Sequence, residues 1–336
     1  MSAFPFRVVA AGLADIGRVR KHNEDAVLLR DDLKLYLVAD GAGGHEAGNV
    51  ASALAITVIA HHFEDTEDGY RDRPDFDAYG LSSALRRLSM ALHQANREVL
   101  DVAVASNRHK GMGTTVVAAW LDDRSGMLHV GHVGDSRLYR LRGRRLEPLT
   151  QDHSLLNEVL EMRPDVDDDV LSRLPRHVIT RALGMGETIR TTLRSYELAP
   201  GDKYLLCSDG LHGAVPDEQI AEALALERTV EDQARLLVEM AKDAGSRDNV
   251  SALVIDCEPL PEILQLPRPS PERPRRSAPT ASPTVTEDSS PEIIVVDEHV
   301  DPNELAVVPA ESRSSGVMRA VEGFIGPMRP RLPKKP

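Results

Sequence analysis

Hydrophobic and polar positions along the chain alternate in two ways. Short apolar runs bounded by Gly, Asp, Asn and Ser occur as "AVLL" at 26–29, "LKLYLVA" at 33–39, "TTVVAAWL" at 114–121, "MLHVGHV" at 127–133, "RLYRL" at 137–141, "KYLLCS" at 203–208 and "VSALVID" at 250–256. Runs of this length and punctuation predict strands. The stretch "VVAAWLDDRSGMLHVGHVGDSRLYRLRGRRLEPL" predicts an antiparallel meander, with D-D-R-S-G, G-D-S and R-G-R-R as its turns. Three longer stretches repeat at the helical period. "EAGNVASALAITVIAHHF" puts Ala47, Val50, Ala51, Leu54, Ala55, Val58 and Ile59 on one face, and "SSALRRLSMALHQANREVLDVA" turns Leu85, Leu88, Leu92 and Val99 inward. "TVEDQARLLVEMAKDAG" opens on Thr229 as an N-cap with acids in its first turn and ends on Gly245. Strands grouped in hairpins, with helix pairs between them, predict an α+β arrangement of layers instead of a parallel βαβ sheet. No internal repeat is visible.

Composition divides the chain. Of 22 prolines in 336 residues, 15 follow Cys257. One folded domain over residues 7–257 and a Pro/Ser-rich, largely disordered tail over 258–336 are therefore expected. A hydrophobic patch, "EIIVVDEHVDPNELAVVPA", and a short amphipathic stretch, "GVMRAVEGFIG", mark the tail as plain disorder or as a docking peptide for an unidentified protein. The net charge is −13, and the tail holds 10 basic against 12 acidic residues, so the acid excess belongs mainly to the folded part. That excludes general nucleic-acid binding, which needs a basic field. Cys207 and Cys257, the two cysteines, read as buried small hydrophobes. With no signal-peptide pattern at the start and no run of the roughly 20 apolar residues needed to span a bilayer, a cytoplasmic location is expected.

Four aspartates fall at or just beyond the ends of apolar runs: Asp40 in "VADGAGG", Asp135 in "VGDSR", Asp209 in "CSDGL" and Asp248 in "SRDNVS". Singly, each reads as ordinary turn chemistry. Together, without a His or Cys cluster, they favour an all-oxygen site for a hard divalent ion such as Mg²⁺ or Mn²⁺. Gly41, Gly43 and Gly44 would let the backbone approach an ion or a phosphate, with the Gly41 carbonyl as a ligand. Upstream, "GRVRKHNEDA" offers Arg20, whose guanidinium suits phosphate oxygens, and the acids Glu24 and Asp25.

In order, "GRVRKHNEDA", "VADGAGG", "GMGTTVVAAWL", "HVGDSRLYRLR", "LTQDHS", "ITRALG", "LLCSDGL" and "GSRDNVSALVI" resemble the metal-dependent serine/threonine protein phosphatases of type 2C, in their bacterial form. The blocks run from residue 17 to about 255. The resemblance implies a four-layer α-β-β-α sandwich of two antiparallel sheets flanked by helices, with metals at one end of its cleft. It also implies that Asp40 bridges two ions, Gly41 gives its carbonyl to one, and Asp209 and Asp248 complete the other. Asp135 with Asp209 matches the pair that holds a third, weaker ion. Arg20 matches the phosphate-binding arginine, and Glu24 and Asp25 match the acids that hold metal-bound water. The implied reaction is direct attack of a metal-bridging water on phosphoserine or phosphothreonine in proteins, opposing a bacterial serine/threonine kinase. A small-molecule phosphoesterase and a phosphoprotein-binding pseudoenzyme are the alternatives.

The chain also departs from the family pattern. Ala42 stands where animal relatives carry a histidine general acid, so leaving-group protonation must come from elsewhere. His45 is a weaker candidate for that role than for a capping or solvated one. Asn49 replaces a glutamate common in bacterial relatives, and His153 reads as structural. Residues 154–179 match the variable flap. Its run "DVDDD" would select basic phosphopeptides if it faced the cleft and is otherwise a solvated acidic loop.

Overall fold

The computed structural model describes residues 5–43, 47–71, 73–76, 82–171, 173–175, 178–260 and 294–296. In chain order the first elements are β1 (Phe6–Asp15), β2 (Asp25–Arg30), β3 (Leu35–Ala42), α1 (Ala47–Arg71) and α2 (Ser83–Ala105). Next come β4 (Gly113–Thr114), β5 (Val116–Asp122), β6 (Met127–Val133), β7 (Arg137–Arg142), β8 (Arg145–Pro148), α3 (Leu155–Met162) and α4 (Asp168–Leu171). The remainder are β9 (Thr191–Glu197), β10 (Lys203–Cys207), α5 (Asp209–His212), α6 (Asp217–Ala225), α7 (Val230–Asp243), β11 (Val250–Pro259) and β12 (Ile294–Val296).

Two antiparallel sheets form the centre. One is ordered β1-β11-β10-β7-β8, the other β12-β9-β6-β5-β3-β2, with β4 pairing β3 beside it. Their facing sides meet through Tyr36, Val38, Val117 and Val130 on one sheet and Leu138, Tyr204, Leu206, Leu253 and Ile255 on the other. Period-2 geometry sends the alternate residues of β3, Leu35, Leu37 and Ala39, to the opposite face. There α1 and α2 cover them with Ala51, Ala55, Ile59, Leu88 and Leu92. Strand β3 is thus buried on both faces, which is why its sequence is a continuous apolar run and not an alternating one. On the second sheet, Ile220 of α6 and Leu237 and Val238 of α7 cover Leu205, Ala252 and Val254. The architecture is the expected α-β-β-α sandwich.

Helix α7 has the expected cap: the Thr229 hydroxyl accepts from Asp232 N–H at 3.2 Å, and Glu231 and Asp232 occupy the first turn. Both cysteines are buried. The expected meander is corrected. β5 and β6 form a hairpin in one sheet and β7 and β8 a hairpin in the other, so Gly134–Ser136 is a crossing between sheets. The G-D-S signal marks a chain reversal without saying which sheet receives the next strand. Strands β1 and β9 carry no run among those predicted. From the tail, Ile294–Val296 runs antiparallel to Thr191–Leu193 of β9. The rest of the disorder and docking expectation lies outside the described residues.

Candidate active site

The strand ends explain how distant acids meet. Asp40 lies near the C-terminal end of β3, directly opposite Asp25 at the start of β2. Asp135 lies between the end of β6 and the start of β7, Asp209 follows β10, and Asp248 precedes β11. Register places Cys207 beside Arg137 on one flank and Ala252 on the other, so these ends lie at the same edge of their sheet. Antiparallel pairing thereby gathers five aspartates at one end of the sandwich. The four turn-like aspartates are half-buried, Asp25 is buried and Arg20 is exposed.

Electrostatics records the crowding. Burial first, then the neighbouring charges of Asp25, Asp209, Asp248 and Asp135, pushes the Asp40 carboxyl well above the usual carboxylate range. Burial raises Asp25 to about 7, against the pull of the Ser251 and Ser208 hydroxyls, with Asp209 and Asp248 adding to the rise. Asp135 is likewise raised to about 7, by burial and then by Asp209 and Asp152. Among the described residues, no three His, Cys, Asp or Glu side chains form a closed ligand cluster. A hard ion such as Mg²⁺ needs none, because it takes one or two carboxylates and fills its remaining positions with water and phosphate oxygen.

Two buried oxygens test whether these residues suit a cation. Asp25 Oδ2 accepts from Ser208 Oγ and Ser251 Oγ, each at 2.7 Å, while Oδ1 is buried without a hydrogen-bond partner. Glu24 Oε1 is in the same state, and burial raises its carboxyl despite nearby Arg20. An all-oxygen set with surplus acceptors and mutual repulsion fits hard divalent ions. Arg20 supplies an opposing charge at Asp248: its Nη2 donates to Asp248 Oδ2 at 2.6 Å, which holds the guanidinium firmly protonated.

The glycine expectation is corrected in part. A Cβ at Gly41 would collide with the Gly48 carbonyl of α1, so protein backbone fills that space, not an ion or a phosphate. Gly210, after Asp209, meets the Asn249 carbonyl in the same way. Ala42, paired with Gly113, brings no titratable group. Gly44 and His45 lie outside the described residues. His153 is structural: its Nδ1 accepts from Gly134 N–H at 3.0 Å and its Nε2–H donates to Thr192 Oγ1 at 2.9 Å. In the flap, Leu155, Val159 and Leu174 form a small apolar cluster, and Asp165 of the acidic run pairs with Arg163 at 3.3 Å.

Several residues holding the acids escaped the sequence reading. Thr115 N–H donates to the Asp40 carbonyl at 2.8 Å, and Asp40 N–H donates to Thr115 Oγ1 at 3.1 Å. Thr115 Oγ1 also bonds Ser136 Oγ at 2.7 Å. His212 Nε2–H donates to the Asp135 carbonyl at 3.0 Å. Asn249 is 3% exposed; its Nδ2 donates to the Ile16 and His22 carbonyls at 2.9 and 3.0 Å, and its Oδ1 accepts from Glu24 N–H at 2.9 Å. For Thr115, Ser136 and Asn249 the only sequence signal was their place inside the quoted blocks, and His212 lies just beyond one.

Comparison with known proteins agrees with this geometry. The protein phosphatase 2C family model matches residues 18–253. The serine/threonine phosphatase stp of Listeria monocytogenes is 32% identical over 245 residues, 72% of this chain and 93% of that protein. Serine/threonine protein phosphatase PstP of Mycobacterium tuberculosis is 36% identical over 247 residues, 73% of this chain and 44% of that protein. The crystal structure of PstP/Ppp from Mycobacterium tuberculosis superposes with a TM-score of 0.64 at 35% identity, covering 75% of this chain and 99% of that one. The PstP catalytic domain in complex with two manganese ions gives 0.61 at 35% identity, covering 74% and 97%. The chain belongs to the protein phosphatase 2C family of serine/threonine phosphatases.

Proposed function

We propose that residues 7–257 form a catalytic domain that hydrolyses phosphoserine and phosphothreonine in proteins with two divalent cations, Mn²⁺ or Mg²⁺, and that residues 258–336 are an appended tail. Asp40, the Gly41 carbonyl, Asp209 and Asp248 would hold the pair, and Asp135 with Asp209 a third ion. Bound cations supply the Lewis-acid charge that activates water and neutralises phosphoryl oxygens. The chain's own groups do the rest. Arg20 turns its guanidinium from Asp248 to the phosphoryl group, where its fork can bind two oxygens. Glu24 and Asp25 present buried acceptor oxygens that orient water. With Ala42 in place of an acid, no side chain at that position protonates the leaving alkoxide. The substrates are phosphorylated proteins, and the enzyme opposes a serine/threonine kinase.

The gathering of Asp25, Asp40, Asp135, Asp209 and Asp248 at one sheet edge, each raising or raised by another's charge, carries this reading. The manganese complex of PstP supports the choice of ion. The test is release of phosphate from a phosphothreonine peptide with Mn²⁺, with chelator, and after Mn²⁺ is returned. Activity lost with chelator and regained with metal is expected. Hydrolysis that survives complete chelation contradicts the metal assignment, and turnover of small phosphoesters alone contradicts the protein substrate.

A further inference from the structure

Arg20 sits in an exposed loop, residues 16–24, between β1 and β2. A side chain meant to meet a phosphoryl group needs its backbone fixed. Asn249 provides that fixing from just before β11, the strand that pairs β1 in the same sheet. Its amide bonds the loop on both sides of Arg20: Nδ2 donates to the carbonyl of Ile16 before it and to that of His22 after it, and Oδ1 accepts from Glu24 N–H. Both donors and the acceptor oxygen of the amide are thereby used.

The same residue governs the partner of Arg20. Asn249 N–H donates to Asp248 Oδ1 at 2.8 Å, leaving Oδ2 to Arg20 at 2.6 Å. Glu24, whose N–H is bonded to Asn249, passes its carbonyl to Gly41 N–H at 3.1 Å and to Ser52 Oγ at 2.6 Å. The Asn249 side-chain amide therefore ties the arginine loop, and through Glu24 the end of β3, into a single register, while its main-chain N–H holds the Asp248 carboxylate.

We propose that Asn249 is the positioning residue for Arg20, holding residues 16–24 so that the guanidinium faces the phosphoryl site. This rests on the reading of Arg20 as the phosphate contact. A double-mutant cycle tests it, with kcat/KM measured on a phosphothreonine peptide in Mn²⁺ for the wild type, Asn249→Ala, Arg20→Ala and the double variant. Asn249→Ala alone is expected to lose about 10- to 100-fold, the scale of a displacement of roughly 1 Å at a reacting group. In the Arg20→Ala background the further loss should fall below about 3-fold. Equal losses in both backgrounds, as a general structural role would give, overturn the proposal.

Amide hydrogen exchange without metal supplies a readout independent of catalysis. Asn249→Ala should speed exchange in residues 18–24 while residues 250–256 of β11 keep their protection. Unchanged exchange in the loop overturns the pin. If Asn249→Ala does not fold, Asn249→Ser goes through both measurements. A wild-type chain without Mn²⁺-dependent hydrolysis would remove the Arg20 reading, and the exchange comparison would still decide whether Asn249 holds the loop.

Discussion

At Gly41 and Gly210 the backbone is not left-handed, yet neither position has room for a methyl group. Each follows an aspartate at a strand end, and each lies against a carbonyl from a separate segment, Gly48 for one and Asn249 for the other. The Asp-Gly pairs that read as turn chemistry are therefore close-approach points that let strand ends converge. Gly210→Ala should cost about 1–3 kcal/mol by overpacking, read from urea unfolding, whereas Gly126→Ala meets open space and is strained through its positive φ alone. Charge acts at the same scale. Asp209→Ala and Asp248→Asn should each abolish turnover on a phosphopeptide. Arg20→Ala should lower kcat/KM by roughly 10- to 150-fold, about 1.5–3 kcal/mol for a charged hydrogen bond; unchanged kinetics would remove Arg20 from the site. Asp40, Asp209 and Asp248 were legible, because Asp-Gly and Asp-Asn recur at the ends of apolar runs, and the fold brings those ends together with Asp25 and Asp135. Thr115, Ser136, Ser208, Ser251 and Asn249 were not, because a short polar residue looks the same whether it faces solvent or holds a buried carboxylate.

Among the elements, legibility followed burial. β3, β5, β6 and β10 are covered on both faces and show as dense apolar runs. β8 and β9 carry few large apolar residues, "RLEP" and "TTLRSYE", and β1 ends in the small residues of "AAGLAD", so periodicity gives them little signal. Helix α1 runs on to Arg71, past its expected end near Phe63, through a segment whose far end is held by Tyr70 and Glu67. Tyr70 packs edge-on against Trp120 and donates to Asp122 at 2.8 Å, and the Arg87 guanidinium stacks on Phe63, Tyr70 and Trp120 while pairing Glu67. Contacts between separate elements extend the helix, and a local pattern does not contain them. Strand β6 offers a pH test. Burial lowers His132 to about 4 where it donates to the Gln151 carbonyl. The unfolded chain then takes up this proton at about pH 6.5 and the folded chain near 4, so stability falls as pH drops through that window. His132→Gln removes the contribution. Between pH 7 and 5 the wild type should lose more urea-unfolding stability than this variant, and parallel losses would contradict a buried neutral imidazole.

For the molecule as a whole, five aspartates meet at one end of the sandwich, where their mutual repulsion opposes folding until a cation compensates it. Binding to the native state alone adds RT ln(1 + [L]/Kd), about 2.7 kcal/mol at a hundred times Kd. Mn²⁺ at that level should shift the unfolding midpoint upward by roughly 5–11 °C for a domain of about 250 residues, and Asp40→Ala should remove most of the shift. The α+β class was legible from hairpin spacing and helix pairs and the four-layer sandwich from the family resemblance, while the assignment of β7 and β8 to the second sheet was not, because it depends on how Gly134–Ser136 crosses between sheets. The claim on which the account depends is that these aspartates hold a pair of hard cations. Diffraction from crystals grown in Mn²⁺, recorded at the manganese edge, addresses it directly. Two anomalous peaks bounded by Asp40, the Gly41 carbonyl, Asp209 and Asp248 are expected; anomalous density absent from that end of the sandwich, or bound only at other carboxylates, would contradict it.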